Sequence, residues 1–135
     1  RLEGLGEVRK GSRIALIGFP IQNKEALEGL CREYGLDKVW IMNDEERWAY
    51  IKSCSGEELL RDLVVLVSEL QELDYVIFIG SDMRVHLLEA VLKNKGIGVE
   101  IGKSPIKHDV AINLEDIVSI IDKIHSARRG KEVTN

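Results

Sequence analysis

The chain lacks most of the features that mark a metal-binding, disulfide-stabilised or low-complexity protein. It has two cysteines, Cys31 and Cys54, which form no CxxC pair, so no disulfide framework is predicted and a reducing, cytoplasmic compartment is favoured. Its three histidines, at positions 86, 108 and 125, form no HxH or HxxxH pattern, so no metal is predicted. Two prolines and an apolar content of 44% exclude a collagen-like or disordered chain.

The sequence has no long apolar run, and its first residues predict no signal peptide. The longest apolar stretch, residues 59–73, is interrupted by charged side chains, whereas a membrane helix needs roughly 20 apolar residues. Residues 1–13 alternate polar and apolar side chains and do not form the apolar core of a signal peptide. We therefore expect no membrane partner.

Neither an excess of basic residues nor a glycine-rich phosphate loop is present. The formal net charge of -4 makes nucleic acid an unfavoured partner. The sequence contains no GxGxxG turn and no GxxxxGK loop followed by Ser or Thr, so neither a nicotinamide dinucleotide nor ATP is predicted and no cofactor is assigned. Ser81 does not sit in a GxSxG elbow, which excludes a hydrolase of that type.

Length and composition predict one folded α/β domain over residues 1–135. At 135 residues, the chain is close to the commonest domain size and buries roughly two-thirds of the surface that its unfolded form exposes. No internal repeat or linker divides it. Residues 1–12 are expected to form a short N-terminal segment, and residues 131–135 a flexible tail.

Short, continuously apolar segments alternate with helical patterns along the chain. Residues 14–17 have the pattern of a strand buried on both faces, and residues 75–80 form the clearest strand. Further strands are predicted at residues 39–42 and 98–102, with a brief fifth at 110–112. Strands that alternate with helices predict a parallel sheet with right-handed crossovers. The expected fold is therefore Rossmann-like: a three-layer α/β/α domain with a mainly parallel sheet of four to five strands.

Capping residues mark where the helices begin and end. Ser55 and Glu58 have the spacing of a capping box. Asn23 and Asn43 are expected to cap the two helices before it. Gly35 is expected to end the first helix, since glycine readily adopts the left-handed conformation that commonly follows a helix.

Apolar side chains cover most of the circumference of the helix predicted over residues 57–73. We therefore expect it to be the most buried helix, enclosed by the sheet plus another helix or by a second subunit. The second alternative predicts a homodimer, in which an interaction subunit pairs across a two-fold axis through this helix or the last one.

The loops that follow the strands gather at the carboxyl edge of a parallel sheet, where such folds bind ligands. One aromatic ring and two amides of the first loop are suited to hold the body of a small ligand. A serine hydroxyl, an arginine and a lysine of later loops are suited to hold its negative charge. The sequence therefore predicts the binding of a small anionic ligand, such as a nucleotide, at the following residues: Phe19, Gln22, Asn23, Ser81, Asp82, Arg84 and Lys103.

Other interpretations of the same loops remain open. The first loop also fits an ordinary strand-to-helix turn, and Asp82 is equally suited to cap a helix and pair with Arg84 or His86. His108 beside Asp109 would supply an enzyme with a general base, but adjacent residues of an extended segment point to opposite faces. We therefore assign no catalytic residue.

Two resemblances to known proteins are present. The segments IALIGF (14–19), YGLDKVWI (34–41) and GSDMR (80–84) together resemble the CRISPR-associated Rossmann-fold sensor domains. This resemblance implies a dimer that binds cyclic oligoadenylates, although the segment between Met42 and Ser55 is too short for the strand that those domains carry there. Residues 74–122 are similar in layout to the dinucleotide-binding fold of deoxyhypusine synthase-like and thiamin-enzyme central domains. Neither resemblance rests on a diagnostic motif.

Overall fold

The computed structural model describes residues 12–134 of the chain and the side chains of residues 12–127. The predicted N-terminal segment, residues 1–12, lies outside the described residues except for Ser12. The last helix includes residues 131–134, where the sequence predicts a flexible tail. In chain order the elements are β1 (Ile14–Gly18), α1 (Lys24–Glu33), β2 (Lys38–Ile41), α2 (Asp44–Ser53), α3 (Gly56–Gln71), β3 (Tyr75–Ser81), α4 (Asp82–Leu92), a 3₁₀ turn (Lys93–Lys95), β4 (Gly96–Gly102) and α5 (Leu114–Thr134).

The four strands form one parallel sheet in the order β2-β1-β3-β4. Ile17 of β1 lies opposite Trp40 of β2 on one side and Phe78 of β3 on the other. The chain therefore steps from β1 to β2 on one side and continues through β3 and β4 on the other. Residues 110–112 contribute a single parallel bridge, between Val110 and Ile21, in place of a fifth strand. This topology confirms the predicted Rossmann-like α/β fold.

Apolar side chains pack on both faces of the sheet and produce three layers. On one face, Leu16 of β1 packs with Leu27 of α1 and Ile121 of α5. On the other face, Ile17 packs with Leu70 of α3 and with residues of α4. Each of these five side chains is at most 2% exposed. Burying a side chain of this size contributes about 1.5–3 kcal/mol, so these contacts account for the central position of the sheet.

Local hydrogen bonds begin and end several helices where the sequence predicts. Ser55 and Glu58 form the predicted capping box at the start of α3. Asn43 and Glu46 form a second capping box at the start of α2. Beyond the end of α1, Gly35 has a φ of 68°, as the predicted glycine stop requires. These boundaries depend on a few neighbouring residues, which explains why the sequence indicates them.

Two segments are less buried than their apolar patterns predict. β2 is an edge strand, and its Val39 is 36% exposed. In α3, Leu70 is buried, whereas Leu60 and Val64 are 63% and 56% exposed. The prediction that this is the most buried helix is wrong, as is the first of the two alternatives, enclosure by the sheet and another helix, because only the C-terminal part of α3 reaches the apolar cluster on the sheet. No helix within residues 12–134 is long and apolar enough to cross a membrane.

Candidate functional site

The carboxyl ends of β1 and β3 flank the point where the strand order reverses. From β1 the chain crosses to β2 on one side, and from β3 it crosses to β4 on the other, so the loops after these two strands diverge. Open α/β sheets bind ligands in the crevice outside such a point. A cavity of about 420 Å³ begins here and extends along one face of the sheet, between the sheet residues Ile17, Trp40 and Phe78 and the helices α2, α3 and α4.

Arg47 of α2 places a buried charge in the lining of this cavity. The residue is 7% exposed, and its Nη2 donates to Oδ1 of Asp44 at 2.6 Å. Its Cζ lies 5.5 Å from the ring centroid of Trp48. Among the described residues, the buried Nε of Arg47 has no hydrogen-bond partner. A buried guanidinium N–H without an acceptor is costly, so Asp44 compensates the buried charge of Arg47 only in part.

Arg84, in the first turn of α4, lines the same cavity. Its Cζ lies 5.2 Å from the ring centroid of Phe19, a cation–π geometry, and the Phe19 ring packs edge-on against Phe78. Burial lowers the pKa of Arg84, repulsion from Arg47 lowers it further, and the carboxylate of Asp44 opposes both effects. Two guanidinium groups therefore act on one carboxylate here, and guanidinium N–H groups are suited to bind an anion.

The first loop, residues 19–23, is held by hydrogen bonds to the segment before α5. The side-chain amide of Asn23 donates to the carbonyl of Ile112 and accepts from its N–H, both at 2.8 Å. Gln22 is exposed, and its backbone N–H donates to Val110 O at 2.8 Å. The expected side-chain cap of α1 by Asn23 is wrong, because both polar ends of this amide are used across the loop.

Ser81 and Asp82 belong to a second polar cluster, at the end of β3. Ser81 is 2% exposed, and its hydroxyl accepts a hydrogen bond from Ser104 Oγ at 2.6 Å. Oδ1 of Asp82 accepts from the backbone N–H groups of Ser104 and Met83, each at 2.8 Å. These hydrogen bonds, that from Ser104 above all, lower the pKa of Asp82. The cluster fastens the loop after β4 to the start of α4.

Lys103, His108 and Asp109 lie on the loop between β4 and α5. Lys103 and His108 are exposed, and the charge of Lys103 also helps to lower the pKa of Asp82. Oδ1 of Asp109 accepts from the backbone N–H of Asp44 at 2.7 Å, at the start of α2. A carboxylate is favoured at a helix N-terminus, so Asp109 stabilises α2 from outside.

The residues that the sequence predicts for the site therefore fall into two groups, those that line the cavity and those that do not. Phe19 and Arg84 meet at the cavity, while the other predicted residues lie elsewhere along the loops of the carboxyl edge. Arg47 is not among the residues predicted for the site, although the sequence carried a signal for it. Arg47, Tyr50 and Ile51 have the i, i+3, i+4 spacing of one helix face, and all three line the cavity. An arginine on the same face as apolar residues was therefore an indication of its burial.

Comparisons with known proteins add no functional assignment. No protein-family model matches this chain, and comparisons with curated proteins and with solved structures find no match either.

Proposed function

We propose that this domain binds a small anionic ligand at the carboxyl ends of β1 and β3, where Arg47 and Arg84 hold its negative charge. The observation that carries the proposal is the guanidinium of Arg47, a buried charge in the lining of this cavity. Arg84 supports it, because its half-buried guanidinium, packed on Phe19, lines the same cavity. The planar guanidinium group offers several N–H donors to one carboxylate or phosphate, which suits arginine to this role.

The proposal retains some of the ligand-binding residues that the sequence predicts at the carboxyl edge of the sheet. Phe19 and Arg84 remain as ligand contacts. The side chains of Asn23, Ser81 and Asp82 are engaged in hydrogen bonds within the protein. We therefore propose that they hold the loops around the site in place and do not contact the ligand. A nucleotide belongs to the proposed ligand class, since its phosphate supplies the charge. The two free cysteines agree with a cytoplasmic location for such a domain.

Calorimetric titration with phosphate, AMP, benzoate and decanoate tests this proposal. We expect at least one of these anions to bind, and Arg84→Gln to weaken its binding about tenfold or more, because a hydrogen bond to a charged group contributes about 1.5–3 kcal/mol. Arg32→Gln removes an exposed arginine of α1 and is the matched control, with unchanged binding expected. Absence of binding at millimolar concentration, or equal weakening by both variants, would contradict the proposal.

A second candidate function is that of an interaction subunit that pairs with a copy of itself through α3 and α4. The observation that favours it is the apolar surface of these helices, on which Leu60, Leu63, Met83 and Leu87 are 56–69% exposed. Several large apolar side chains exposed on neighbouring helices favour an interface. Such pairing predicts a sedimenting species of twice the 15.2 kDa chain mass.

A further inference from the structure

The charged groups of the cavity lie at one end of it. α2 and α4 both begin at the carboxyl edge of the sheet, and Arg47 and Arg84 are near their starts. Val91, in the last turn of α4, also lines the cavity. Because α4 runs from the carboxyl edge back to the start of β4, Val91 lies toward the opposite end. The cavity therefore changes from cationic to apolar along its length.

The interior beyond the arginines is lined by apolar side chains. Ile17 and Phe78 supply the sheet surface, while Leu66 of α3 and Leu88 of α4 belong to the walls. The hydroxyl of Tyr50, also in the lining, donates to the carboxylate of Asp62 at 2.5 Å and is therefore already engaged. A ligand body placed here meets mainly hydrocarbon and covers apolar side chains that are otherwise exposed, such as Leu63 and Leu87.

This environment selects against a polar ligand body. Ribose hydroxyls and base amides would lose their hydrogen bonds to water, and burying such groups without new partners is unfavourable. An alkyl chain or a single aromatic ring gains free energy from the same transfer. A volume of about 420 Å³ is near the lower end of the range of roughly 300–1,000 Å³ seen for small-ligand pockets, so the body is compact.

We infer that the ligand is an amphiphilic anion, in which one carboxylate or phosphate group is joined to a compact apolar body. The head group binds Arg47 and Arg84, and the body occupies the apolar part of the cavity between α3 and α4. This inference rests on the proposed function, because it specifies the remainder of the ligand whose charge the two arginines hold.

Three probes separate the contributions of head group and body. Decanoate carries both, acetate carries the head group alone, and decanol carries the body alone. Calorimetry measures the affinities, and tryptophan emission reports the location, because Trp40 lines the cavity and Trp48 packs on Arg47. We expect decanoate to bind at least about tenfold more tightly than either acetate or decanol and to shift the emission.

Two leucine variants test whether the body lies in the cavity. Leu87 lines the cavity and is 61% exposed, whereas Leu60 is 63% exposed and lies outside its lining. Because both side chains are exposed, replacement by glutamine preserves the fold, which circular dichroism checks. We expect Leu87→Gln to weaken decanoate binding about threefold or more with acetate unaffected, and Leu60→Gln to leave both unchanged. Equal effects of the two variants on decanoate would overturn the placement.

The outcomes distinguish failure of this inference from failure of the proposed function. If acetate binds as tightly as decanoate and Arg84→Gln weakens both, the arginines bind an anion, but the inference that the ligand has an apolar body is wrong. If decanol binds as tightly as decanoate and Arg84→Gln changes neither, both the anionic ligand and its amphiphilic form are wrong. If decanoate does not bind while AMP binds through Arg84, the proposed function stands and the ligand class inferred here is overturned.

Discussion

Individual polar side chains at the carboxyl edge bind backbone groups that are distant in the sequence. Asn23 is bound to Ile112, and Asp109 to the N–H of Asp44, across separations of 89 and 65 positions. Each bond places a side chain of one loop against the main chain of another. Hydrogen bonds therefore hold the loops around the proposed site together, which reduces the conformational entropy lost when a ligand binds.

We expect Asn23→Ala to lower the free energy of unfolding by about 1–3 kcal/mol. The reason is that the N–H and C=O of Ile112, in a partly buried position, lose their hydrogen-bond partner. Urea unfolding followed by circular dichroism measures the change. Gln22→Ala, at the exposed neighbouring position, is the control, with an expected change within about 0.5 kcal/mol. Equal losses in the two variants would show that the Asn23 bridge contributes nothing particular.

At the scale of elements, hydrogen bonds and an ion pair hold the first turn of α2 in place. Its capping box joins Asn43 and Glu46, and the carboxylate of Glu46 also forms an ion pair with Lys24 of α1 at 2.7 Å. The hydrogen bond from Lys24, followed by that from the Asn43 backbone, lowers the pKa of Glu46. The same pair raises the pKa of Lys24. A single carboxylate thus connects two helices that lie on opposite sides of the sheet.

This ion pair predicts a pH-dependent contribution to stability. The lowered pKa of Glu46 contributes above its ordinary value of 4.5, and this contribution is lost as the pH falls through the folded-state pKa. The raised pKa of Lys24 contributes below its ordinary value of 10.5 and is lost as the pH rises through the folded-state pKa. Lys24→Met is therefore expected to cost about 0.2–1 kcal/mol at neutral pH, since the pair is partly exposed.

Urea unfolding at neutral and acid pH checks this prediction. The difference between Lys24→Met and the unmodified protein should disappear once Glu46 is protonated in the folded state. Lys52→Met, at an exposed position in the last turn of α2, controls for the loss of a lysine. A cost of Lys24→Met that is the same at both pH values would rule out the ion pair as its source.

β4 and α4 approach closely at Gly98, and this contact predicts the effect of an added methyl group. A Cβ at Gly98 would lie 2.2 Å from Cγ1 of Val85 and 3.0 Å from Oε2 of Glu89. We expect Gly98→Ala to lower the free energy of unfolding by about 1–3 kcal/mol, because the helix must shift away from the strand.

Gly56→Ala is the matched control for this substitution. Gly56 is the first residue of α3, and a Cβ there meets nothing within 4 Å. Because alanine favours a helix more than glycine does, we expect a change of less than about 1 kcal/mol in the stabilising direction. Thermal unfolding of the two variants compares them, and similar melting temperatures would contradict the close contact at Gly98.

The whole molecule carries its large exposed apolar side chains mainly on one side. Apart from Val39, those that the structure describes as exposed belong to α3 and α4, which pack on one face of the sheet, and to α2, which lines the cavity on that same face. α1 and α5 cover the other face. This asymmetry is the basis of the second candidate function, because a copy of the same surface is a suitable partner for it.

Leu60→Glu is expected to disrupt self-association through this surface while the domain remains folded, because Leu60 is 63% exposed. Sedimentation equilibrium measures the monomer–dimer balance over a range of protein concentrations. Ala26→Glu, at an exposed position of α1 on the opposite side of the sheet, should leave that balance unchanged. An unmodified protein that remains monomeric at all concentrations would contradict the dimer.

The parts of this molecule that the sequence predicts are those that depend on near neighbours in the chain. The capping box of Ser55 and Glu58 and the stop at Gly35 each involve residues within one helical turn. Continuous apolar runs indicate strands covered on both faces, which holds for β1 and β3 but not for Val39 on the edge of the sheet. Periodicity alone does not show whether a neighbour covers an apolar face, and the exposed apolar residues of α3 illustrate this limit.

The sequence by itself determined the alternation of strands and helices, the parallel sheet that follows from it, and the edge at which its loops gather. Only the tertiary structure decided that the amide of Asn23 holds Ile112, that Arg47 is buried beside Arg84, and that α3 leaves an apolar surface open. The physical reason is the distance along the chain over which each interaction acts. Capping and periodicity act over a few residues, whereas burial and hydrogen-bond partners depend on which distant segments the order of the strands brings together.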